Sequence, residues 1–233
     1  MIHIRLLYTS LIISLLLVAC KPDSPNQSTP PIDEKITTDE VTRPNSQNSE
    51  PQRAYWQKPD LVMEKLGNLE DDIIADIGAG MGYFSFELSK RKAKKVIAID
   101  IDDEMIKALN FFKNLMEEKE SNFSERFEVR QATQDDPNLK EGEVDIILIV
   151  NTIAYLYPKV TYLKNLRTKL REGGKIVIVD FKTKKIPDYV NAPPYENREY
   201  LHLVEEDLEK SGYSNIVSDD TTLEFQYIVI AEK

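Results

Sequence analysis

Ile73-Ile74-Ala75-Asp76-Ile77-Gly78-Ala79-Gly80-Met81-Gly82-Tyr83-Phe84 is an apolar run that ends in an acid and passes at once into three alternate glycines. The spacing predicts a buried strand, a tight turn and a helix N-terminus. Such a turn offers unpaired N–H groups and the positive end of a helix dipole to a small polar ligand. Glycine removes the Cβ that would hold the ligand away or forbid positive φ. The pattern is G-x-G-x-G, with Tyr83 where a dinucleotide fingerprint carries its last glycine. A carboxylate at Asp76, two residues before the turn, suits an ammonium group and repels a pyrophosphate. The next apolar run, Val96-Ile97-Ala98-Ile99, ends in Asp100. That lies close to the ~20-residue offset at which an acid grips ribose hydroxyls. Together these features ask for a nucleoside that carries an amino acid.

Asp76 through Gly82, followed by Asp100, resembles the first two motifs of the class I S-adenosylmethionine-dependent methyltransferases. Trp56-Gln57-Lys58-Pro59-Asp60, Asp145-Ile146-Ile147-Leu148, the run from Glu172 to Phe181, and Asn191-Ala192-Pro193-Pro194 are similar to a bacterial group of predicted methyltransferases. The resemblance covers roughly residues 53–233. It implies an α/β, Rossmann-like methyltransferase fold: a seven-stranded, mostly parallel sheet with an antiparallel C-terminal strand and helices on both faces. It also implies S-adenosylmethionine as cofactor and a small-molecule acceptor.

The alternation of patterns agrees with an α/β sheet. Strands are expected at Ile73–Ile77, Val96–Ile99, Phe127–Arg130, Val144–Val150, Lys175–Asp180 and Phe225–Ala231. Helical spacing falls at Phe84–Arg91, Asp103–Lys119, Lys159–Leu170 and Glu199–Ser211, with Asp102 or Asp103 as an N-cap and Gly212 as a C-cap. Ile146–Val150 and Ile176–Val179 are continuous apolar runs, as strands buried on both faces are. Ile216-Val217 and Phe225–Ala231 flank a polar turn at Ser218-Asp219-Asp220, which predicts a hairpin and an antiparallel strand.

The resemblance assigns roles by residue. The backbone of Gly78, Ala79, Gly80 and Gly82 packs against the cofactor's amino-acid part, and Asp76 lies near its ammonium or caps the strand. Asp100 accepts from both ribose hydroxyls or caps the next helix, and Ile101 flanks the adenine. Many relatives carry an acid after the third strand to receive the adenine amino group; Thr133 stands there, with Ala132, Gln134 or Asp135 as substitutes. Asn151, at the end of the fourth strand, lies beside the methyl group or caps that strand. Tyr155, with Tyr157, borders the acceptor pocket or packs. His202, the one histidine beyond the first segment, falls between core positions of a helix, and no His or Cys cluster suggests a metal. Ala192-Pro193-Pro194-Tyr195 departs in position and first residue from the Asn-Pro-Pro-Tyr motif of N-methyltransferases.

Residues 1–20 read as a lipoprotein signal peptide: a basic start, an apolar Leu6-to-Val18 run shorter than the ~20 residues of a span, and Leu17-Val18-Ala19-Cys20, similar to a lipobox. Cys20, the sole cysteine, is the expected lipid acceptor, against an uncleaved anchor. Residues 21–52 are polar and proline-rich and are expected to form a disordered tether. Residues 53–233 then form one methyltransferase domain, anchored on the exported side of an inner or outer membrane, or cytoplasmic if the first segment is not used. The chain carries a net charge of −10, which disfavours nucleic acid as a partner. An exported site conflicts with a cofactor made in the cytoplasm, so a non-catalytic lipoprotein binding a nucleoside-like ligand or a protein is the alternative.

Overall fold

The computed structural model describes residues 50–233, and the structural statements below concern those residues. The signal segment, Cys20 and nearly all of the expected tether lie outside them.

Seven strands form one sheet in the order β3-β2-β1-β4-β5-β7-β6. They are β1 (Ile73–Ile77), β2 (Lys95–Asp100), β3 (Phe127–Gln131), β4 (Val144–Val150), β5 (Leu170–Phe181), β6 (Ser214–Asp219) and β7 (Gln226–Glu232). The first five run parallel, and β7 lies antiparallel between β5 and β6. The expected mostly parallel sheet with an antiparallel C-terminal strand is therefore present.

The apolar runs explain the layers. Ile147, Ile149, Ile176 and Ile178 face one side, against Leu163 and Leu166 of α6 (Lys159–Lys169) and Val204 and Leu208 of α7 (Leu201–Lys210). Ile74, Leu148, Val177 and Val179 face the other. There they meet α2 (Pro59–Leu66), α3 (Tyr83–Lys90) and α4 (Asp103–Lys119). All eight of these strand residues are buried. Period-two alternation inside a continuous apolar run thus feeds two separate cores.

Several boundaries differ from the sequence expectation. Helix α6 stops at Lys169 because Leu170 pairs with Val144 in the sheet, and a register shift separates this pair from the main ladder. Asp102 does cap α4, accepting from the N–H groups of Glu104 and Met105. The N-terminal pair of short helices, α1 (Glu50–Gln57) and α2, was not expected, and a one-turn helix α5 (Phe123–Arg126) precedes β3. Pro59 starts α2 and Lys58 joins the two helices at φ 46°. A proline at the first helical position costs no hydrogen bond, so a break in the pattern is here a helix start.

Two fastenings place the ends of the sheet. Trp56 of α1 lies 5.6 Å from the ring of Phe181 and shares a cluster with Val190 and Phe225, holding α1 against the carboxyl end of β5. Lys182 donates to the carbonyls of Asp220, Leu223 and Glu224, which ties the β6–β7 connection to the residue after β5. The strand order reverses between β1 and β4, so the crevice above their carboxyl ends is where an open α/β sheet receives its ligand.

Candidate active site

Strands β1 and β2 are in register, with Ile77 opposite Ile99, so both end at the same edge. Asp76 is buried near the end of β1, where its Oδ2 accepts from the Ser85 hydroxyl of α3 at 2.6 Å. Burial pushes the Asp76 carboxyl up to about 6; the Ser85 hydrogen bond and the nearby Arg53 guanidinium oppose that rise, and Asp100 adds to it. A buried carboxylate with a raised pKa is a site that a cation would stabilise.

Asp100 ends β2 and bridges the two turns. Its Oδ2 accepts from the Gly80 N–H at 2.7 Å and its Oδ1 from the Asp102 N–H at 3.0 Å. The N–H groups of the glycine turn are consequently not free, contrary to the sequence expectation. Gly78 and Ala79 donate to the Ile99 carbonyl, each at 2.9 Å, and Gly82 donates to Ala79. The turn is folded onto β2, and the carbonyl and carboxylate at that strand's end take up the donors.

The three glycines also differ in purpose. A Cβ on Gly78 would stand 2.4 Å from the Thr152 side chain, and one on Gly82 2.7 Å from Leu109 and Phe86. Nothing lies within 4 Å of the corresponding point on Gly80, whose φ is +56°. Gly78 and Gly82 therefore serve packing, and Gly80 alone leaves open space. Of the expected backbone cradle, the part that faces open space is Gly80.

The remaining expected residues fall around this edge. Ile101, directly after Asp100, is 56% exposed, an unusual position for an isoleucine beside a crevice. Ala132 donates its N–H to the Asp100 carbonyl, which brings the end of β3 alongside. Thr133 is exposed, and its hydroxyl oxygen accepts from the Asp136 N–H at 3.1 Å, so that hydroxyl is already part of a turn. Asn151 takes a left-handed φ of 56° at the end of β4, and its Oδ1 accepts from Gln226 Nε2 at 2.5 Å. Tyr155 is largely exposed on a short 3-10 turn, Ile153–Tyr155, and Tyr157 is exposed beyond it. Tyr155 and Ala154 line a cleft of about 230 Å³ with Glu196, Asn197 and Glu199. His202 is exposed beside Tyr200.

Four residues were not singled out from sequence. Arg53 of α1 sits over the Tyr83 ring at 4.2 Å and donates to Gln57 Oε1 at 2.6 Å, laying α1 across the start of α3. Ser85 holds Asp76. Thr152 fills the space that Gly78 leaves. Asp180, buried at the end of β5, accepts from the N–H groups of Ile153 and Phe181, and burial pushes its carboxyl up to about 6. Two of them had a signal: Arg53 lies three residues before the Trp56-Gln57 motif, and Asp180 is the acid that ends the expected strand Lys175–Asp180.

A doubly covered parallel sheet with a terminal antiparallel strand, carrying acids at the ends of β1 and β2 beside an open glycine, defines an S-adenosylmethionine-dependent methyltransferase. The chain belongs to the methyltransferase domain family, which it matches over residues 69–226. It is 25% identical over 184 residues to a tRNA U34 carboxymethyltransferase of Mannheimia succiniciproducens, covering 72% of this chain and 54% of that protein. It is 28% identical over 179 residues to phosphoethanolamine N-methyltransferase 1 of Zea mays, covering 73% of this chain and 34% of that one. The chain thus spans about half or a third of the length of these relatives. In fold it is similar to the crystal structure of a SAM dependent methyltransferase from Aquifex aeolicus, with a TM-score of 0.68 and 24% identity, covering 78% of this chain and 93% of that one. The exclusion of nucleic acid drawn from net charge does not survive a tRNA-modifying relative, since charge summed over a chain says nothing of one local surface.

Two outcomes follow from this geometry. Gly78→Ala should destabilise the empty protein by roughly 2 kcal/mol or more, through both overpacking and left-handed strain, whereas Gly80→Ala should cost only the strain, about 1 kcal/mol. Thermal unfolding of the two variants checks this, and equal losses would contradict the division of labour. The second concerns pH. Carboxyls raised to about 6 at Asp76 and Asp180 favour the protonated folded state, so their effect on the empty protein is destabilising above about 6 and is relieved as pH falls through that value. Affinity for S-adenosylhomocysteine should change in the opposite sense, weakening below about 6 as Asp76 takes up a proton, and Asp76→Asn should flatten the profile. Calorimetric affinities across that range would show it; an unchanged profile in Asp76→Asn would contradict it.

Proposed function

We propose that this domain transfers the methyl group of S-adenosylmethionine to a small molecule held at the carboxyl edge of the sheet. The observation that carries the reading is the pairing of Asp76 and Asp100 on neighbouring strand ends around the open Gly80. The residues fit the cofactor: a buried carboxylate seeking a cation for its ammonium, a second carboxylate for its ribose, and exposed Ile101 for the adenine face. Each Asp100 oxygen already accepts one N–H, and a carboxylate oxygen has a further lone pair for a hydroxyl. Thr133 and Ala132 stand where the adenine edge would reach.

When bound, the cofactor supplies an activated methyl group, so the protein's work is alignment and exclusion of water. Asn151, fixed by Gln226, and Tyr155, beside a cleft of about 230 Å³, help to align the acceptor in this reading. The size of that cleft favours a small acceptor, although relatives include enzymes of both kinds. We further propose that the domain is tethered to a membrane through lipidated Cys20, on the exported side.

Isothermal titration of the full chain with S-adenosylhomocysteine should show binding, weakened by Asp100→Ala about tenfold or more through loss of a charged hydrogen-bond acceptor. Because Asp100 also holds two N–H groups, Asp100→Ala should lower the melting temperature too. Asp100→Asn, which keeps one acceptor oxygen, should recover part of that stability but not the affinity. Absence of binding by the wild type would remove the enzymatic reading and leave a non-catalytic binding module. For the anchor, palmitate labelling should occur in the wild type and vanish in Cys20→Ser; equal labelling of the two would defeat it.

A further inference from the structure

Buried side-chain donors and acceptors in folded proteins are almost always paired. Among the described residues, buried atoms without a partner include Trp56 Nε1, Gln57 Nε2, Gln226 Oε1 and Arg167 Nε. Arg167 belongs to α6, on the other face of the sheet. The other three belong to α1 and to the β5–β7 pair that Trp56 packs against. Trp56 packs on Phe181, and Gln226 lies directly across from Phe181 on the neighbouring strand β7. Gln57 follows Trp56 in α1. Gln226 in turn holds Asn151, at the end of β4. Trp56, Gln57 and Gln226 are 4%, 0% and 0% exposed, so bulk solvent does not satisfy them.

We infer that Trp56, Gln57 and Gln226 form the methyl-acceptor subsite, and that it receives a small uncharged molecule through a hydroxyl group. This deepens the methyltransferase reading and rests on it. Two unpartnered N–H donors and one unpartnered carbonyl demand a guest that both accepts and donates, which a hydroxyl does. An ammonium would face the two donors, and a phosphate would face the carbonyl. The surrounding rings of Trp56, Phe181 and Phe225, with Val190, offer an apolar wall to the body of the guest. A phenol combines that hydroxyl with an apolar ring.

Entry needs α1 to yield. The helix is joined to α2 through Lys58, a non-glycine residue in the left-handed region immediately before a proline. Ile186 and Ala192 pack against the same aromatic cluster and line a cleft of about 320 Å³ on its outer side. A guest reaching the three unpaired groups from that cleft would lie next to Asn151, the residue at the end of the central strand.

Trp56 is the only tryptophan in the chain, so its indole N–H gives a single reporter resonance. In isotopically labelled full chain saturated with S-adenosylhomocysteine, phenol should shift that resonance saturably. Benzylamine, with the same ring and a positive charge, and phosphoethanolamine should not. Gln57→Leu and Gln226→Leu, each resaturated with S-adenosylhomocysteine, should each weaken the phenol response about fivefold or more, the effect of at least one lost hydrogen bond. Two separate leucine variants guard against one that fails to fold, which the dispersion of the same spectrum reveals. An indole resonance that phenol leaves unmoved, that benzylamine moves equally, or that responds undiminished in both variants overturns the inference. Failure of S-adenosylhomocysteine to bind would instead sink the methyltransferase reading, and phenol titration of the empty chain would still decide the subsite.

Discussion

The hydrogen bond from the Gly80 N–H to the Asp100 carboxylate joins the two halves of the ligand edge. The bonds from Gly78 and Ala79 to Ile99 already fold the turn onto β2, and this one fixes the carboxylate itself against the turn. With it, a carboxylate is held beside an open glycine, and a second carboxylate lies buried one strand away. Each neighbouring contact reinforces that placement. Ile99 accepts from Gly78 and Ala79, Ala132 reaches back to Asp100, and Thr152 closes against Gly78 from the far side. A parallel sheet makes such convergence natural, because adjacent strands end at the same level and their following turns crowd together.

This placement has an electrostatic cost. Asp76 and Asp100 repel each other, and burial penalises the charge on Asp76. Ser85 and Arg53 offset the penalty only in part. A protein selected for stability alone would not keep a raised carboxylate there, since a neutral isostere would fold as well. The arrangement becomes favourable when a cation enters. Local violations of packing and charge rules gather at functional sites for this reason. Asp180 shows the same raised carboxyl, yet both its oxygens hold backbone N–H groups, which marks it as a support for the β4–α6 connection.

The fold was legible because its strands are buried on both faces, so their sequences are unbroken apolar runs between polar turns. The C-terminal hairpin was legible from its polar turn. The strand acids and the glycine spacing pointed to the edge at which Asp76 and Asp100 come together. What the sequence concealed is long-range. Thr152 lies far along the chain from Gly78, and nothing in either neighbourhood announces that one fills the space the other leaves. For the same reason three glycines looked alike, although two serve packing and one serves access. The donors of the glycine turn looked free because their acceptors, Ile99 and Asp100, belong to the next strand. Helices α1 and α2 were hidden by their shortness and by Pro59, which breaks a helix inside a pattern but starts one at its edge.

Helix α1 carries the consequence furthest. Its inward residues do two unlike things: Arg53 brings positive charge towards Asp76, while Trp56 and Gln57 bury polar atoms that nothing satisfies. A helix of eight residues has too little intrinsic stability to persist alone, so tertiary contact must hold it. That contact is mainly the Trp56–Phe181 pair and the Arg53–Tyr83 stack. A short helix that depends on its side-chain contacts is an element suited to move. It also covers both the charged side of the edge and the apolar, hydroxyl-matching side. Cofactor and acceptor would therefore meet beneath the same helix, and closing it would exclude water from both at once.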